Sequence, residues 1–196
     1  MAQDTSPKAV VVSGPNGSGK TTFAREYLEE HKCEFLSADD IADEIAQGGW
    51  ENSRIAAGRL YFERLGRLID EGKDLLIETT LAGRVFGRIL DKLKGRGYYV
   101  VLVFIYLRSA DMCLARIRER TRKGGHDVPA DDVIRRFYRS CANFWELYRQ
   151  RADRWYLTSN STVEFRDVAF GVGEAFEVVD EALFEEFTEI VRGRDT

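Results

Sequence analysis

The sequence predicts an α/β fold in which a parallel central sheet carries helices on both faces. Apolar segments of strand length alternate with segments of helical periodicity along the chain, which is the pattern that such sheets require. A glycine-rich segment joins the first predicted strand to the first predicted helix. With 196 residues and 44% hydrophobic content, the chain can bury one core of this kind. We therefore expect a flexible N-terminus over residues 1–7 and a single domain over residues 8–196.

The glycine-rich segment, residues 14–21, has the sequence of a P-loop in its usual setting. It reads Gly-Pro-Asn-Gly-Ser-Gly-Lys-Thr, follows the apolar run at residues 9–12 and precedes a helix that we expect to end near His31. Glycines let successive backbone N–H groups turn toward a phosphate, and the positive end of the following helix adds to the attraction. The alternatives are a chance match or a dinucleotide site, but no G-x-G-x-x-G is present here. The segment predicts a nucleoside triphosphate site.

The P-loop residues have distinct predicted tasks. Lys20 reaches the terminal phosphates, and the Thr21 hydroxyl ligates Mg²⁺. The residues predicted to bind the nucleotide are Gly14, Asn16, Gly17, Ser18, Gly19, Lys20, Thr21 and Thr22.

The remaining elements follow from apolar periodicity and turn residues. Residues 34–37 are a short predicted strand, and the segment after them enters a helix that Gly48 and Gly49 break. One apolar helical face, which stops at Gly72, is formed by Ile55, Leu60, Phe62, Leu65, Leu68 and Ile69. Further core strands are predicted at residues 74–78, 98–107 and 155–158. Further helices are predicted at residues 85–94, 109–122, 130–151 and 181–192, with a peripheral hairpin at 162–169 and 174–178.

Polar residues after the predicted strands are candidates for chemistry, because the carboxyl ends of parallel strands open into one crevice. Asp39 follows the second strand, where a carboxylate can accept the proton of a hydroxyl that attacks phosphorus. Capping of the next helix is the alternative for Asp39, although Asp40 suits that task better. Glu78 ends the third strand at a buried position, and Thr79 and Thr80 follow it. Its carboxylate requires a partner, which is Mg²⁺ through water, a substrate hydroxyl or an arginine in a structural ion pair.

Arginines in the later helices are candidates for neutralising the charge of a transferred phosphoryl group. Arg116 and Arg120 lie one turn apart on one predicted helical face. Arg135 and Arg136 open the next predicted helix in a similar way. Solvent exposure is the alternative for each of these side chains, and Arg120 is the first candidate for one that faces inward.

Composition argues against several other classes of protein. Cys33, Cys113 and Cys141 are widely spaced and only two histidines are present, so neither a disulfide framework nor a zinc site is expected. The longest apolar run, residues 98–107, is too short to cross a bilayer, and residues 1–7 lack the pattern of a secretory signal. We expect a soluble protein of the cytoplasm that has no membrane partner.

The charge is unevenly distributed. The net charge of −4 argues against nucleic acid as the main partner. Residues 108–154 hold twelve Arg or Lys against seven Asp or Glu, whereas residues 160–196 hold three against ten. The basic segment is either a pair of solvated helices or an arginine-bearing lid over an anionic substrate.

Over nearly all of residues 8–170 the chain resembles the zeta-toxin family of P-loop kinases. The resemblance rests on the P-loop, on Ser-Ala-Asp-Asp-Ile-Ala at 37–42, on Ile-Glu-Thr-Thr at 77–80, on residues 116–120, on Gly-Gly-His-Asp-Val-Pro at 124–129 and on Arg-Arg-Phe at 135–137. The segment at 124–129 with the two arginines after it is the most specific part.

The resemblance implies a kinase with ATP as the phosphoryl donor. It makes Asp39 the general base, Lys20 and Thr21 the ligands of ATP and Mg²⁺, and Arg120 a lid arginine that stabilises the transition state. Where the family has a second lid arginine, His126 is the match here. The predicted substrate-binding residues are therefore Glu78, Thr80, Arg116, His126, Arg135 and Arg136, of which His126, Arg135 or Arg136 supplies the second lid charge.

The favoured function is transfer of the ATP γ-phosphoryl group to a hydroxyl of a small, nucleotide-linked acceptor, as in zeta toxins that act on UDP-N-acetylglucosamine. A separate antitoxin protein is compatible with this resemblance, although no segment of the chain points to one. Two other classes stay open. The arginine-rich middle permits a kinase acting on nucleic-acid ends, and the acidic residues 181–189 suit a regulatory module that binds ATP without transferring phosphate.

Overall fold

The computed structural model describes residues 6–37, 41, 54–125 and 127–193. The strands are β1 Lys8–Ser13, β2 Glu34–Ser37, β3 Leu75–Thr79, β4 Tyr99–Tyr106, β5 Arg154–Ser159, β6 Arg166–Val172 and β7 Ala175–Val178. The helices are α1 Lys20–Glu30, α2 Arg54–Asp70, α3 Phe86–Gly95, α4 Ala110–Arg122, α5 Ala130–Asn143 and α6 Glu181–Arg192. A π-helical segment, Phe144–Tyr148, and a 3₁₀ turn, Arg149–Arg151, follow α5.

The strands form one sheet in the order β2–β3–β1–β4–β5–β6–β7. The first five are parallel, and the hairpin of β6 and β7 extends the sheet antiparallel to β5. The predicted α/β fold with a largely parallel sheet is confirmed. In the parallel register Ser13 pairs with Thr79, and Ser37 pairs with Glu78. The polar ends of three strands therefore meet at one edge of the sheet.

Helices cover both faces of this sheet. Side chains of successive strand residues point to opposite faces, so Val11 joins one apolar cluster and Val12 joins the other. The larger cluster packs the sheet against α2, α3 and α6, and it includes the fully buried Leu65, Leu90 and Phe187. The second cluster packs the opposite face against α1. The continuous apolar runs of β1 and β4 are explained by this burial on both faces.

Two predicted elements differ from the observed ones. The helix predicted over residues 130–151 changes to π-helical geometry at Phe144, where the Phe144 ring stacks on Phe104 at a centroid distance of 4.4 Å. Helical periodicity in the sequence does not distinguish π-helical from α-helical geometry, so this change was not predicted. The first strand of the hairpin begins at Arg166 rather than at residue 162. Residues 162–164 are exposed and precede the strand, and the turn after β5 contacts the P-loop through Asn160, whose Nδ2 donates to the Ser18 carbonyl oxygen at 2.8 Å.

The hairpin and α6 are tied to the rest of the fold by polar contacts as well as by packing. The Tyr106 hydroxyl donates to the Leu183 carbonyl oxygen at 2.8 Å. Within the ranges given above, none of the helices combines the length and the apolar character needed to span a bilayer.

Candidate active site

The P-loop runs from the end of β1 into the first turn of α1, and two of its glycines cannot be replaced without conflict. Gly14 has φ +141°, and a Cβ atom there would overlap the carbonyl oxygen of Ile105 on β4. Gly19 has φ +100°, and a Cβ atom there would overlap the side-chain amide of Asn160. Both are backbone conformations that favour glycine. The neighbouring strand and the turn after β5 therefore hold the loop in one shape.

The amino end of α1 offers positive charge to an anion. Gly19 precedes the helix and supplies no side-chain cap, so the first backbone N–H groups of α1 are open to a ligand. The Lys20 ammonium bends back over the loop and donates to the Pro15 carbonyl oxygen at 2.9 Å, with the side chain largely buried. This cradle fits the phosphates of a nucleotide. Thr22 follows on α1 with an exposed side chain.

Thr21 and Glu78 meet at the end of β3. The Thr21 hydroxyl lies 3.2 and 3.1 Å from the two carboxylate oxygens of Glu78, to which it donates. Glu78 is only 7% exposed, so the partner that its burial requires includes this hydroxyl. A hydroxyl and a carboxylate beside a phosphate cradle are oxygen ligands of the kind that Mg²⁺ accepts, directly or through water. These two residues fit the predicted metal.

A cavity of about 720 Å³ opens beside the P-loop. Seven of the predicted site residues line it: Asn16, Lys20, Glu78, Thr80, Arg120, Arg135 and Arg136. The structure thus brings the P-loop, a strand-end carboxylate and the arginines of α4 and α5 to one space. Asp39 and His126 lie outside the described residues, although Ser37 and Asp127 line the same cavity.

Arg116 lies apart from the cavity that Arg120 lines. Its guanidinium donates to the Asn160 carbonyl oxygen at 2.7 Å. Asn160 in turn contacts the P-loop through Ser18, so Arg116 braces the turn after β5 against the nucleotide cradle. Arg116 and Arg120 lie on similar faces of α4, but they are about one helical turn apart along its axis, so their side chains contact different residues.

The end of α4 holds Arg120 in place. The N–H of Gly125 donates to the Arg120 carbonyl oxygen, and the N–H of Gly124 donates to that of Thr121, both at 3.0 Å. This is the hydrogen-bond pattern of a Schellman motif, with Gly124 in the left-handed conformation at φ +87°. A Cβ atom on Gly125 would lie 2.6 Å from Cγ of Arg120. The two glycines of the predicted motif therefore end the helix and leave space for the arginine stem.

The basic face of α5 forms another wall of the cavity. Arg135 and Arg136 both pair with Asp132, at 2.6 and 3.5 Å, and Arg136 also lies 3.5 Å from the Asn16 side-chain oxygen. Arg139 lines the cavity one turn further on, and no ion pair of Arg139 is found within the described part of the chain. The sequence analysis missed Arg139, although its spacing of four residues from Arg135 is the signal that could have found it.

The helix α2 lines the cavity, and its buried face differs from the one predicted from the sequence. Phe62, predicted on the buried face, is 40% exposed and lines the cavity. Tyr61, which the sequence analysis passed over, is 5% exposed and lines it as well. Residues 61 and 62 are 100° apart on a helix, so the rotation of α2 about its axis decides which of them points inward. Val85, 57% exposed, adds a further apolar contact surface.

A thiol lies beneath the P-loop without taking part in its chemistry. Burial raises the pKa of Cys113 to about 12, against the opposing charges of Lys20 and Arg116. The thiol is therefore neutral at physiological pH and is a poor nucleophile. Its backbone oxygen would lie 3.0 Å from a Cβ atom on Gly17, so this helix supports the loop from below.

Solved structures with this fold include P-loop proteins of several functions. The chain superposes on a protein of the AvrRxo1-ORF1:-ORF2 complex, crystallised with ATP, with a TM-score of 0.75 and 17% identity over 95% of this chain and 65% of that one. This chain thus spans less than two thirds of that protein. A chain from the PezAT toxin-antitoxin system of Streptococcus pneumoniae superposes with a TM-score of 0.62 and 21% identity, over 97% of this chain and 84% of that one. At these identities the likeness shows a shared P-loop kinase-like fold.

Sequence comparison identifies the family. An uncharacterized protein of Haemophilus influenzae is 30% identical over 131 residues, which cover 67% of this chain and 92% of that protein. The family described as an AAA domain, AAA_33, matches residues 10–142 and so includes the P-loop, Glu78 and both basic helices. Because this match covers more than half of the chain, the chain belongs to the AAA_33 family of AAA domains.

Proposed function

We propose that the protein is an ATP-dependent kinase that transfers the γ-phosphoryl group to a hydroxyl of a small, nucleotide-sugar-like acceptor. The observation that carries the proposal is one cavity of about 720 Å³ that is lined by Lys20, Glu78 and Arg120 together. Phosphoryl transfer requires a phosphate cradle, a metal site and fixed cations around one space. A volume of this size also leaves room for an acceptor beside the terminal phosphate of ATP.

The proposed reaction is a direct displacement. The acceptor oxygen forms a bond to the γ-phosphorus, the bond from that phosphorus to the oxygen bridging it to the β-phosphate breaks, and ADP leaves. The hydroxyl proton passes to Asp39, which follows β2 two residues after Ser37. Lys20 and Arg120 neutralise charge on the phosphoryl oxygens. Mg²⁺, which Thr21 and Glu78 would hold, supplies further charge neutralisation when bound.

The side chains that line the cavity suit an acceptor that has both phosphate groups and a ring. Arg135, Arg136 and Arg139 suit phosphate oxygens, because the planar guanidinium donates two hydrogen bonds in the geometry of a phosphate. Phe62 and Val85 present exposed apolar surface to the same space. UDP-N-acetylglucosamine, the acceptor that the zeta-toxin resemblance implies, has both features. An antitoxin-like partner belongs to the same proposal, since the PezAT neighbour is part of a toxin-antitoxin system.

The test is a transfer assay with ATP, Mg²⁺ and UDP-N-acetylglucosamine, followed by the same assay on a metabolite extract. We expect a product that gains one phosphoryl group with the wild-type protein. Asp39→Asn should reduce its formation by at least a hundredfold with ATP binding retained, whereas Lys20→Ala should weaken both. Product formation that persists in Asp39→Asn would remove Asp39 from the reaction.

Two other outcomes would replace the proposal. Phosphorylation of oligonucleotide ends, with binding that weakens steeply as salt is added, would indicate a nucleic-acid kinase. Bound ATP with no transfer to any acceptor, together with a stable protein complex, would indicate a regulatory module.

A further inference from the structure

The hydroxyl of Tyr61 is a buried polar group of the cavity whose role the site described above does not explain. Tyr61 is 5% exposed and lines the cavity from α2. Its hydroxyl oxygen is buried and has no hydrogen-bond partner among the residues that the structure describes. Buried polar groups in native proteins are almost always paired, since an unpaired hydroxyl destabilises the folded state. A ligand in the cavity could therefore supply the hydrogen-bond partner that the Tyr61 hydroxyl lacks among the described residues.

The surroundings of Tyr61 define what that ligand must offer. Burial raises the pKa of Tyr61, and the charge of Glu78 raises it further. The phenol therefore keeps its proton and can act as a donor. Glu78 lies close enough to influence it and already accepts the Thr21 hydroxyl. A carboxylate has about four acceptor positions, so Glu78 can accept a further hydrogen bond from a ligand.

We propose that Tyr61 binds the acceptor and selects a hydroxylated ring. The phenol donates to an oxygen of the acceptor, and the hydrogen on that same oxygen is donated to Glu78. An oxygen that both accepts and donates is a hydroxyl, which excludes a carbonyl or an ether at this position. Phe62, whose ring contacts that of Tyr61 edge-on at a centroid distance of 5.3 Å, is 40% exposed and presents apolar surface to the same cavity, which suits the C–H groups on the face of a sugar ring. This inference rests on the proposed function and adds Tyr61 as a residue that recognises a hydroxyl of the acceptor.

The experiment compares Tyr61→Phe with a matched loss of a hydroxyl elsewhere. The Tyr98 hydroxyl donates to the Lys73 carbonyl oxygen at 2.8 Å at the opposite end of the sheet, so Tyr98→Phe removes a satisfied hydrogen bond far from the cavity. The dissociation constant of UDP-N-acetylglucosamine, with ADP and Mg²⁺ present, is measured by calorimetry. The acceptor KM and the melting temperature are measured beside it.

The expected results for the two variants are opposite. Tyr61→Phe should weaken acceptor binding about tenfold without lowering the melting temperature, because it removes a hydroxyl that has no hydrogen-bond partner among the described residues of the free protein. Tyr98→Phe should lower the melting temperature and leave the acceptor constant unchanged. A Tyr61→Phe protein that binds the acceptor as the wild type does, or that melts earlier, overturns the inference.

Deoxy analogues of the sugar give a second readout that a structural role for Tyr61 would not change. The analogue that lacks the contacted hydroxyl should bind at least about tenfold more weakly than the parent sugar to the wild type, and the loss should be smaller in Tyr61→Phe, where only the hydrogen bond to Glu78 is removed. Equal losses in both proteins count against the contact. Acceptor binding that depends on Tyr61 without phosphoryl transfer would defeat the proposed function alone, and absence of any nucleotide-sugar binding would defeat this inference.

Discussion

Arg139 lines the cavity and makes no ion pair with any described residue. It is exposed on α5, whereas Arg135 and Arg136 share Asp132. An arginine held near anionic substrate without a protein partner gains most when a phosphate arrives. The role of Arg139 in the proposed kinase is therefore to bind the phosphate groups of the acceptor.

We predict that Arg139→Ala raises the acceptor KM about threefold to tenfold, a modest effect because the site is open to solvent and salt. The difference from the wild type should shrink as ionic strength rises. Steady-state rates at several acceptor and salt concentrations measure it. Arg118→Ala removes the same charge from an exposed position of α4 outside the cavity lining and is the control. An equal effect in both variants would show a general charge effect instead.

At the scale of elements, Arg149 holds the hairpin of β6 and β7 to the core. Its side chain is 9% exposed, with the guanidinium 4.2 Å from the Trp145 ring centroid. Nε donates to the Trp145 carbonyl oxygen at 2.9 Å and a terminal nitrogen to that of Gly173 at 3.2 Å. Burial lowers the pKa of Arg149, partly offset by Glu174. The arginine thus joins the 3₁₀ turn after α5 to the hairpin turn.

We predict that Arg149→Met lowers the free energy of unfolding by about 2 kcal/mol, since methionine keeps apolar contact but loses two hydrogen bonds and the cation–π contact. The shift of the urea midpoint measures it. Faster amide exchange confined to β7 would identify the hairpin as the segment that is released first. A midpoint within error of the wild type would mean that the aromatic cluster alone anchors the hairpin.

The helix α6 contains a carboxylate whose ionisation opposes folding. Burial raises the pKa of Glu186, with Arg108 opposing the shift and Glu189 adding to it. One of its oxygens is buried with no hydrogen-bond partner among the described residues. Because the folded state holds this proton more tightly than the unfolded state does, stability decreases as the pH rises from the ordinary glutamate pKa through the raised one.

We predict that Glu186→Gln raises the melting temperature at pH 7 by about 1–2 °C, a small gain because the group is partly exposed. The gain should disappear below about pH 4, where Glu186 is protonated in both states. Scanning calorimetry across this pH range measures it. Glu185→Gln, at the exposed neighbouring position, should leave the melting temperature unchanged. A gain that grows on acidification would reverse the assigned sign.

The sequence predicted the existence of the strands and helices more accurately than their boundaries. The strands β2 and β3 and the helix α6 were predicted correctly because their buried residues recur with the period of a strand or a helix within a short segment. The π-helical geometry at Phe144 and the late start of β6 were not, because residue order does not show the contacts that these segments make with distant residues, such as Phe144 with Phe104 and Asn160 with the P-loop. The hydrophobic periodicity of a segment predicts which residues are buried, but it does not predict which residues they contact.

At the scale of the molecule, the P-loop is held by elements distant in sequence. Gly14 abuts β4, Gly19 abuts the turn after β5, and Cys113 on α4 lies below Gly17. A ligand that fills this cradle should therefore stabilise the whole fold rather than one loop, because it binds only the assembled state.

We predict that ATP with Mg²⁺ at a hundred times its dissociation constant stabilises the protein by about 2.7 kcal/mol, which raises the melting temperature by about 5–10 °C for a chain of this size. Thermal unfolding with and without nucleotide measures it. Lys20→Ala should lose most of the shift. Lys32→Ala, an exposed position beyond α1, should retain it. No shift in the wild type would contradict nucleotide binding at this loop.

By itself, the sequence determined the α/β class, the phosphate cradle and the buried carboxylate Glu78, because each depends on residue order within a short segment. Only the tertiary structure decided that Arg120 and Arg139 reach the cavity while Arg116 braces a turn, and that the Tyr61 hydroxyl, which has no partner among the described residues, lines the same cavity as Glu78. Those outcomes depend on how α2, α4 and α5 rest on the sheet. A shift of part of a helical turn changes which side chain faces a ligand while the periodicity in the sequence stays the same.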